Sequence, residues 1–190
     1  MRVFMDFEAS SLGKKSYPIE VAWVFEDGRA EDWLIRPAAD WLDWDTEAEA
    51  VHKISRSRLE AEGTPVTEVA QRMLAVLSGH ELHASAPSWD GKWLSALLRG
   101  AGLPRHAIRL TDTELAHAAA ARAILAGAMP EEQLEGEVAG LVGLARDRAA
   151  LEPVAHRALA DAQRERHTFL DVRRMAEERL AALLARSRRA

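Results

Sequence analysis

The sequence contains no cysteine, so disulfide bonds and zinc sites built from thiolates are both excluded. It also lacks an apolar run of membrane-spanning length, and an acid at position 6 comes too early for a signal peptide. No stretch rich in proline or glycine marks a linker between domains. These absences predict a single cytoplasmic domain over residues 1–190, with no membrane partner.

Positive charge is scarce relative to negative charge, since 25 lysines and arginines stand against 30 acids and give a formal net charge of −5. This balance argues against a protein that coats nucleic acid without specificity. It is compatible with an enzyme that contacts a few phosphates through metal ions. With 190 residues, 48% of them hydrophobic, the chain is long enough for one well-formed core.

Alternation of apolar and polar residues predicts strands, most of them in the first half of the chain. The predicted strands are residues 2–8, 18–26, 29–36, 80–86 and a short one within 107–113. Asp27 and Gly28 separate the second strand from the third, and this pair is typical of a tight hairpin turn.

Apolar residues at helical spacing predict helices over most of the remaining chain. The predicted helices are residues 55–63, 65–79, 88–102, about 112–127, 130–150 and about 157–186. Thr64 and Ser88 are expected to cap two of them. Arg186, Arg188 and Arg189 are expected to favour the dipole of the last helix. Strands followed by alternating strands and helices predict an α/β domain, with a mixed sheet of about five strands flanked by helices.

Two acids, Asp6 and Glu8, interrupt a first strand that is otherwise mostly apolar. Because side chains alternate along a strand, both carboxylates fall on the same face of the sheet. Acids on a central, buried strand are costly unless a cation or hydrogen bonds offset them. An edge strand with a solvated face would explain the pair equally well, so both interpretations stay open at this point.

Asp90 falls in the first turn of a predicted helix, where an acid interacts favourably with the helix dipole. It also shares a helical face with Leu94, Leu97 and Leu98, the face expected to point inward. Taken alone, Asp90 is explained more simply by the dipole than by a catalytic role.

His156 and Asp161 lie five residues apart in the segment HRALADAQ. On a continuous helix this spacing would leave the two side chains roughly 140° apart, facing different neighbours. They can act together only if the helix begins after His156, so that the histidine lies on a loop and folds back over Asp161. Pro153 favours such a loop, because proline disfavours helix in the residue immediately before it.

Taken in order, these residues resemble the three motifs of the DEDDh 3′–5′ exonucleases. DFEASSLG resembles the first motif, SAPSWDGKWL resembles the second, and HRALADA, a histidine with four residues before an aspartate, resembles the third. The likeness covers about residues 2–175. One position departs from the pattern, since Ala86 stands where many relatives have asparagine. This change affects a polar contact to the substrate rather than a metal ligand.

The resemblance implies an RNase H-like fold and a metal-dependent 3′–5′ exonuclease that releases nucleoside 5′-monophosphates from DNA or RNA. Its metal ligands would be Asp6, Glu8, Asp90 and Asp161. Oxygen ligands and a phosphate substrate indicate two Mg²⁺ ions, with Mn²⁺ as a substitute. His156 would accept the proton of the attacking water.

Substrate contacts are also implied by the resemblance. Backbone groups around Phe7, Ala9 and Ser10 would contact the terminal sugar. Leu12 occupies the position where relatives insert an apolar side chain between terminal bases. The expected partner is therefore single-stranded or 3′-terminal nucleic acid.

Two other functions are compatible with the same residues. The chain would be a catalytically weak nucleic-acid-binding accessory protein on this fold, or an RNase H-like endonuclease with similar carboxylates. The spacing of His156 and Asp161 favours the exonuclease. The sequence leaves open DNA or RNA as the substrate, and a monomer or a homodimer as the assembly.

Overall fold

The computed structural model describes residues 1–187, and within them the chain forms two compact units. The first comprises Met1–Asp112 and Val154–Gln163. Of the described residues, the second comprises Thr113–Pro153 and residues 164–187. Every residue predicted for the site belongs to the first unit.

Within the described residues, the first unit contains a mixed sheet of six strands. The strands are β1 (Arg2–Ala9), β2 (Pro18–Phe25), β3 (Ala30–Arg36), β4 (Thr64–Pro65), β5 (Glu81–Ala84) and β6 (Leu110–Asp112). Their spatial order is β4-β3-β2-β1-β5-β6. The β1–β2 and β2–β3 pairs are antiparallel, whereas the β3–β4, β1–β5 and β5–β6 pairs are parallel. The mixed α/β sheet predicted from the sequence is confirmed.

The predicted number of strands is wrong by one, because β4 consists of two residues. Thr64 and Pro65 pair in parallel with Ile35 and Arg36 of β3. Two residues carry no alternation that a pattern could detect. Thr64 is therefore part of a strand rather than a helix cap, and the following helix begins after Pro65 without a side-chain capping bond.

Seven helices are present within the described residues. They are α1 (Thr46–His52), α2 (Arg56–Glu62), α3 (Val66–Leu77), α4 (Pro87–Gly100), α5 (Thr113–Leu125), α6 (Glu131–Ala149) and α7 (Ala158–Ser187). The last agrees with the predicted helix over 157–186, whereas Arg188 and Arg189 lie outside the described residues. α1 was not among the predicted helices, and Asp45 caps it by accepting a hydrogen bond from the Glu47 N–H. None of the described helices has the length and apolarity needed to cross a membrane.

The main core lies on one face of the sheet. Val3, Met5 and Phe7 of β1 are buried there with side chains of α3 and α4, such as Met73 and Leu97. These residues alternate along the strand, so the residues between them point to the opposite face. The sequence pattern therefore assigns the apolar half of β1 to the core and leaves its acids on the other side.

The opposite face of the sheet meets the first turns of α7. Ala22 and Val24 of β2 are buried in a cluster with Ala158 and Ala162 of that helix. Ala22 lies directly opposite Asp6 in the β1–β2 ladder, and side chains of such a pair share a face. The start of α7 is therefore packed on the face that carries the acids of β1.

The second unit consists of α5, α6 and the part of α7 from Arg164 onward. Leu134 and Val138 of α6 are buried in its core with Val172 of α7. Arg179 and Glu137 join the same two helices through a bidentate ion pair. This unit has its own core and contains none of the residues predicted for the site.

Candidate active site

Asp6 and Glu8 lie near the end of a central strand. β1 is flanked by β2 and β5, so the edge-strand interpretation of this acid pair is wrong. Both side chains are half-buried, and the residue between them, Phe7, is buried in the core. The ladder with β5 covers Arg2–Phe4, so the half of β1 that carries the acids extends past β5. Asp6 and Glu8 thus lie on the part of β1 that is paired with β2 but not with β5.

Asp161 joins the two strand acids from α7. One carboxylate oxygen from each of Asp6, Glu8 and Asp161 lies within 4.8 Å of the other two. Asp161 is buried, with 6% of its surface exposed. The predicted convergence of these three residues is therefore present. Three oxygen donors at this separation match the ligands that hard divalent cations prefer.

Asp90 reaches the same region from the start of α4. It is 3% exposed, and it shares its helix face with Leu94, Leu97 and Leu98, all of them buried, as the helical spacing predicted. Its negative charge is close enough to Glu8 to raise the pKa of that carboxyl. The three oxygens that converge within 4.8 Å are those of Asp6, Glu8 and Asp161, so the role of Asp90 as a fourth metal ligand stays a prediction.

The expected cap of α4 is wrong. The helix begins at Pro87, one residue before Ser88, and Ala86 precedes it without a side-chain capping bond. Proline is well suited to the first helical position, because its missing N–H has no partner there in any case. Ala86, at the position of the usual asparagine, is exposed at the helix start.

Burial and the charges of this cluster raise the pKa of the Glu8 carboxyl. Burial is the largest cause that raises its pKa, to about 8, followed by the negative charges of Asp161 and Glu20. Arg157 lowers it, and Asp90 contributes a smaller increase. Without a cation, Glu8 therefore holds a proton at neutral pH. Because the negative charges of this cluster repel one another strongly enough to keep one carboxyl protonated, the cluster favours binding of a cation.

His156 lies on the loop before α7, as its spacing from Asp161 predicted. Its side chain is exposed, and its backbone has a φ of 52°, in the left-handed region where histidine is one of the better tolerated residues. Asp161 Oδ1 accepts a hydrogen bond from the Ala155 N–H at 3.4 Å, and Oδ2 accepts one from the Arg157 N–H at 3.2 Å. Asp161 thus binds the residue on each side of His156.

Two residues beside the site were missed by sequence reasoning. Glu20 of β2 lies directly opposite Glu8, and Arg157 follows His156. They form an ion pair with a shortest distance of 2.6 Å, in which the Glu20 side chain is 2% exposed. A signal for Glu20 was present, because it is a lone acid in the otherwise apolar strand PIEVAWVF.

The residues predicted to contact substrate differ in accessibility. Phe7 and Ala9 are buried, so contact there would involve their backbones. Ser10 is fully buried, its N–H donates to Tyr17 O, and its carbonyl accepts from the Asp45 N–H. These bonds hold the loop in place. Leu12, by contrast, is 71% exposed, so its side chain is open to a ligand.

Leu12 lies in a surface groove between its loop and the start of α4. The groove is lined by Leu12, Gly13, Lys14, Ser88, Trp89 and Lys92. Trp89 is 39% exposed, and the Lys92 ammonium lies 5.1 Å from the centroid of its ring. Lys92 Nζ also donates to Gly13 O at 2.6 Å, which ties the two walls together. An exposed leucine, an aromatic face and two cations form a surface suited to a nucleobase and its phosphates.

Comparisons with known proteins support the fold. No protein-family model matches the sequence, and no curated protein matches it. Among solved structures, the chain is similar to E. coli exonuclease I in its zinc-bound complex with single-stranded DNA, with a TM-score of 0.63 and 17% identity. The complex of E. coli exonuclease I with a dT13 oligonucleotide gives a TM-score of 0.63 and 17% identity. The metal-free form of the single-stranded DNA complex gives 0.60 and 16%.

These likenesses extend over nearly the whole chain. They cover 94% to 96% of it, but only 40% to 43% of the exonuclease I chains. The fold of this chain is similar to that of the matched part of E. coli exonuclease I. The resemblance seen in the three motifs is therefore confirmed for the fold, and the chain spans about two fifths of the length of the exonuclease I chains that it matches.

Proposed function

We propose that this chain is a metal-dependent 3′–5′ exonuclease that releases nucleoside 5′-monophosphates from a single-stranded 3′ end. The observation that carries the proposal is the approach of Asp6, Glu8 and Asp161 within 4.8 Å on an exonuclease fold. The groove beside Leu12 and Trp89 and the exonuclease I complexes with single-stranded DNA support the choice of substrate.

The residues of the cluster fit divalent cations with a preference for oxygen. All the donors are carboxylates, and the chain has no cysteine. Asp6, Glu8 and Asp161 would hold one Mg²⁺ ion, and Asp6 and Asp90 would serve a second, with Mn²⁺ as a substitute. When bound, such ions supply electrostatic stabilisation of the charge that develops on the phosphate oxygens.

His156 supplies the proton transfer in this proposal. An imidazole nitrogen accepts the proton of the attacking water, which displaces the 3′ oxygen from the terminal phosphorus. The bond between phosphorus and the 3′ oxygen breaks, that oxygen takes a proton from solvent to become the new 3′ hydroxyl, and the phosphate stays on the 5′ oxygen of the released nucleoside. Because the loop is exposed, the imidazole can pass its proton to solvent before the next cycle.

End-labelled oligonucleotides test the proposal. Single-stranded DNA labelled at its 5′ end, incubated with Mg²⁺ or Mn²⁺, should give a ladder that shortens from the 3′ end. Asp161→Asn, prepared in parallel, should leave the substrate intact. Internal cuts in a circular single strand would instead indicate an endonuclease, and binding without cleavage an accessory protein. Replacing the DNA by RNA of the same sequence decides between the two polymers.

Substitution of Trp89 by alanine should raise the KM for single-stranded DNA by about tenfold, with a much smaller change in kcat. The indole face in the groove would stack on a base and so hold the strand, without taking part in bond cleavage. Leu12→Ala should act in the same direction. The control is Leu115→Ala, since Leu115 is a comparably exposed leucine (62%) outside this groove. Equal KM values for Trp89→Ala and Leu115→Ala would exclude the groove as a substrate site.

Excess Mn²⁺ should raise the melting temperature of the protein. At about 100 times its Kd, a ligand of the native state stabilises by about 2.7 kcal/mol, or roughly 5–10 °C for a chain of this size. Asp6→Asn should abolish most of this shift and should also raise the melting temperature without metal, because it removes one of the repelling charges. The matched control is Asp40→Asn, an exposed acid outside the cluster. An unchanged Mn²⁺ response in Asp6→Asn would place the metal site elsewhere.

A further inference from the structure

Glu20 is a buried acid with no part in the proposed chemistry. All eight positions of β2 are buried, and Glu20 is 1% exposed. Burying a carboxylate in an apolar strand is costly unless strong partners compensate for the lost water. Glu20 lies directly opposite Glu8 in the β1–β2 ladder. The negative charge of Glu20 therefore lies next to the Glu8 carboxyl and raises the pKa of Glu8. Such an arrangement calls for an explanation beyond packing.

The partners of Glu20 come from the start of α7. The Arg157 Nε–H donates to Oε1 and Oε2 at 3.2 and 3.1 Å, and its terminal nitrogen donates to Oε1 at 2.6 Å. The Ala158 N–H, the first of the helix, donates to Oε2 at 2.9 Å. The Glu20 carboxylate therefore binds the planar guanidinium of Arg157 through both of its oxygens. It also caps the N-terminus of α7, although Glu20 itself belongs to β2.

The hydrogen bonds of Glu20 and Arg157 extend to the loop before α7 that carries His156. The backbone N–H of Arg157 donates to Asp161 Oδ2, while its side chain is held by Glu20. Arg157 directly follows His156, so the position of the histidine backbone depends on this anchor. A cation bound to Asp161 would compete for the oxygens that accept from Ala155 and Arg157. The hydrogen bonds between Glu20 and Arg157 would remain when a cation binds Asp161, so they would still hold the loop in place.

Glu20 itself is a poor candidate for a metal ligand. Both of its oxygens already accept hydrogen bonds from Arg157, and one also accepts from Ala158. The Arg157 charge balances its own, so a further cation gains little by approaching it. It is also not among the three acids whose oxygens converge.

We propose that Glu20 is a positioning residue, which acts through Arg157 to place Asp161 as a ligand and His156 as a base. The inference rests on the proposed function, since it assumes that Asp161 binds a metal ion. Residues that orient ligands in this way typically contribute 10- to 100-fold to metal affinity or activity.

The test compares Glu20→Gln, Arg157→Gln and the double variant. Kcat, KM and Mn²⁺ affinity by calorimetry are measured at a temperature where each variant is folded. Each single variant should lower kcat roughly 10- to 100-fold and weaken Mn²⁺ binding in the same range, with little change in KM. Because the two residues act as one unit, the double variant should be no worse than the poorer single variant.

Two further variants control for a loss of folding. Arg157→Lys keeps a positive charge beside the buried carboxylate and should retain part of the activity that Arg157→Gln loses. Glu137→Gln breaks another bidentate pair, Arg179–Glu137, which belongs to the second unit. It should lower the melting temperature without changing kcat or Mn²⁺ affinity.

The outcomes separate this inference from the proposed function. Normal kcat and Mn²⁺ affinity in Glu20→Gln and Arg157→Gln, with only a lower melting temperature, would show a purely structural pair. If the loss of kcat in the double variant equals the product of the losses in the two single variants, Glu20 and Arg157 do not act as one unit, and the inference is overturned. If the wild type binds Mn²⁺ but does not cleave, the proposed function fails, and the Mn²⁺ affinities of the variants still decide on the pair. A wild type that neither binds Mn²⁺ nor cleaves overturns both.

Discussion

His156→Ala should lower turnover by roughly 10²-fold or more while leaving Mn²⁺ affinity nearly unchanged. The reason is that His156 is expected to accept a proton and not to hold metal, since the converging donors are Asp6, Glu8 and Asp161. Single-turnover cleavage of a labelled oligonucleotide gives the rate, and calorimetry gives the metal affinity. Added imidazole should restore part of the rate, because it can enter the space left in an exposed loop.

Two variants distinguish loss of a base from distortion of the loop. His156→Asn keeps a side chain that tolerates the left-handed backbone at this position, and it should be as inactive as His156→Ala. His106→Ala removes another exposed loop histidine and should behave like the wild type. A His156→Ala protein that turns over at a near-normal rate would show that this histidine is only a loop residue.

The acids of the site could be placed from the sequence because regular periodicity decides where a side chain points. Alternation put Asp6 and Glu8 on one face of β1, and the helical repeat put Asp90 on the buried face of α4. The start of α7 followed from the spacing of His156 and Asp161. Each of these inferences uses neighbours within a few residues, where the geometry of a single element is sufficient.

Features that depend on distant partners were not predictable in this way. β4 exists because Thr64 and Pro65 lie beside β3, and two residues have no period of their own. α1 is seven residues long, polar over most of its length, and stabilised by its Asp45 cap. The start of α4 at Pro87 was missed because Ser88 is the more familiar cap.

Glu20 shows the same limit at the site itself. Its carboxylate pairs with Arg157, which lies 137 residues later in the chain. Read along the sequence, a single acid in β2 gives no hint of its partner. Only the packing of α7 on this face, through Ala158 and Ala22, brings the two together. Local spacing, together with the resemblance of the three motifs, therefore identified the acids of the cluster but not the pair beside them.

The apparent affinity for Mn²⁺ should rise by about tenfold per pH unit from pH 6 to pH 8 and then level off. Burial and neighbouring negative charges raise the pKa of Glu8 to about 8, so below that pH the carboxyl must lose a proton before it binds a cation. About one proton should be released per ion bound near pH 7. Calorimetry in buffers of different ionisation enthalpy measures this number directly.

The same pKa determines how the metal-free protein responds to pH. Glu8 has an ordinary pKa of 4.5 in the unfolded chain and about 8 in the native state, so between these values the native state holds more protons. The free energy of unfolding therefore falls as pH rises through this window, and the Glu8 contribution, complete below about pH 4.5, is lost above about pH 8. Saturating Mn²⁺ should remove this decline, because the bound carboxyl is already ionised.

Glu8→Gln should weaken Mn²⁺ binding. The Mn²⁺ affinity of this variant should also lose most of its dependence on pH between 6 and 8, since the amide has no proton to release. The variant should also lose the decline in metal-free melting temperature over the same range. The control is Glu68→Gln, an exposed acid in the first turn of α3, which should keep both dependences. If Glu8→Gln releases as many protons on binding Mn²⁺ as the wild type does, the titrating group is another member of the cluster, and the charge repulsion inferred at Glu8 is assigned to the wrong carboxyl.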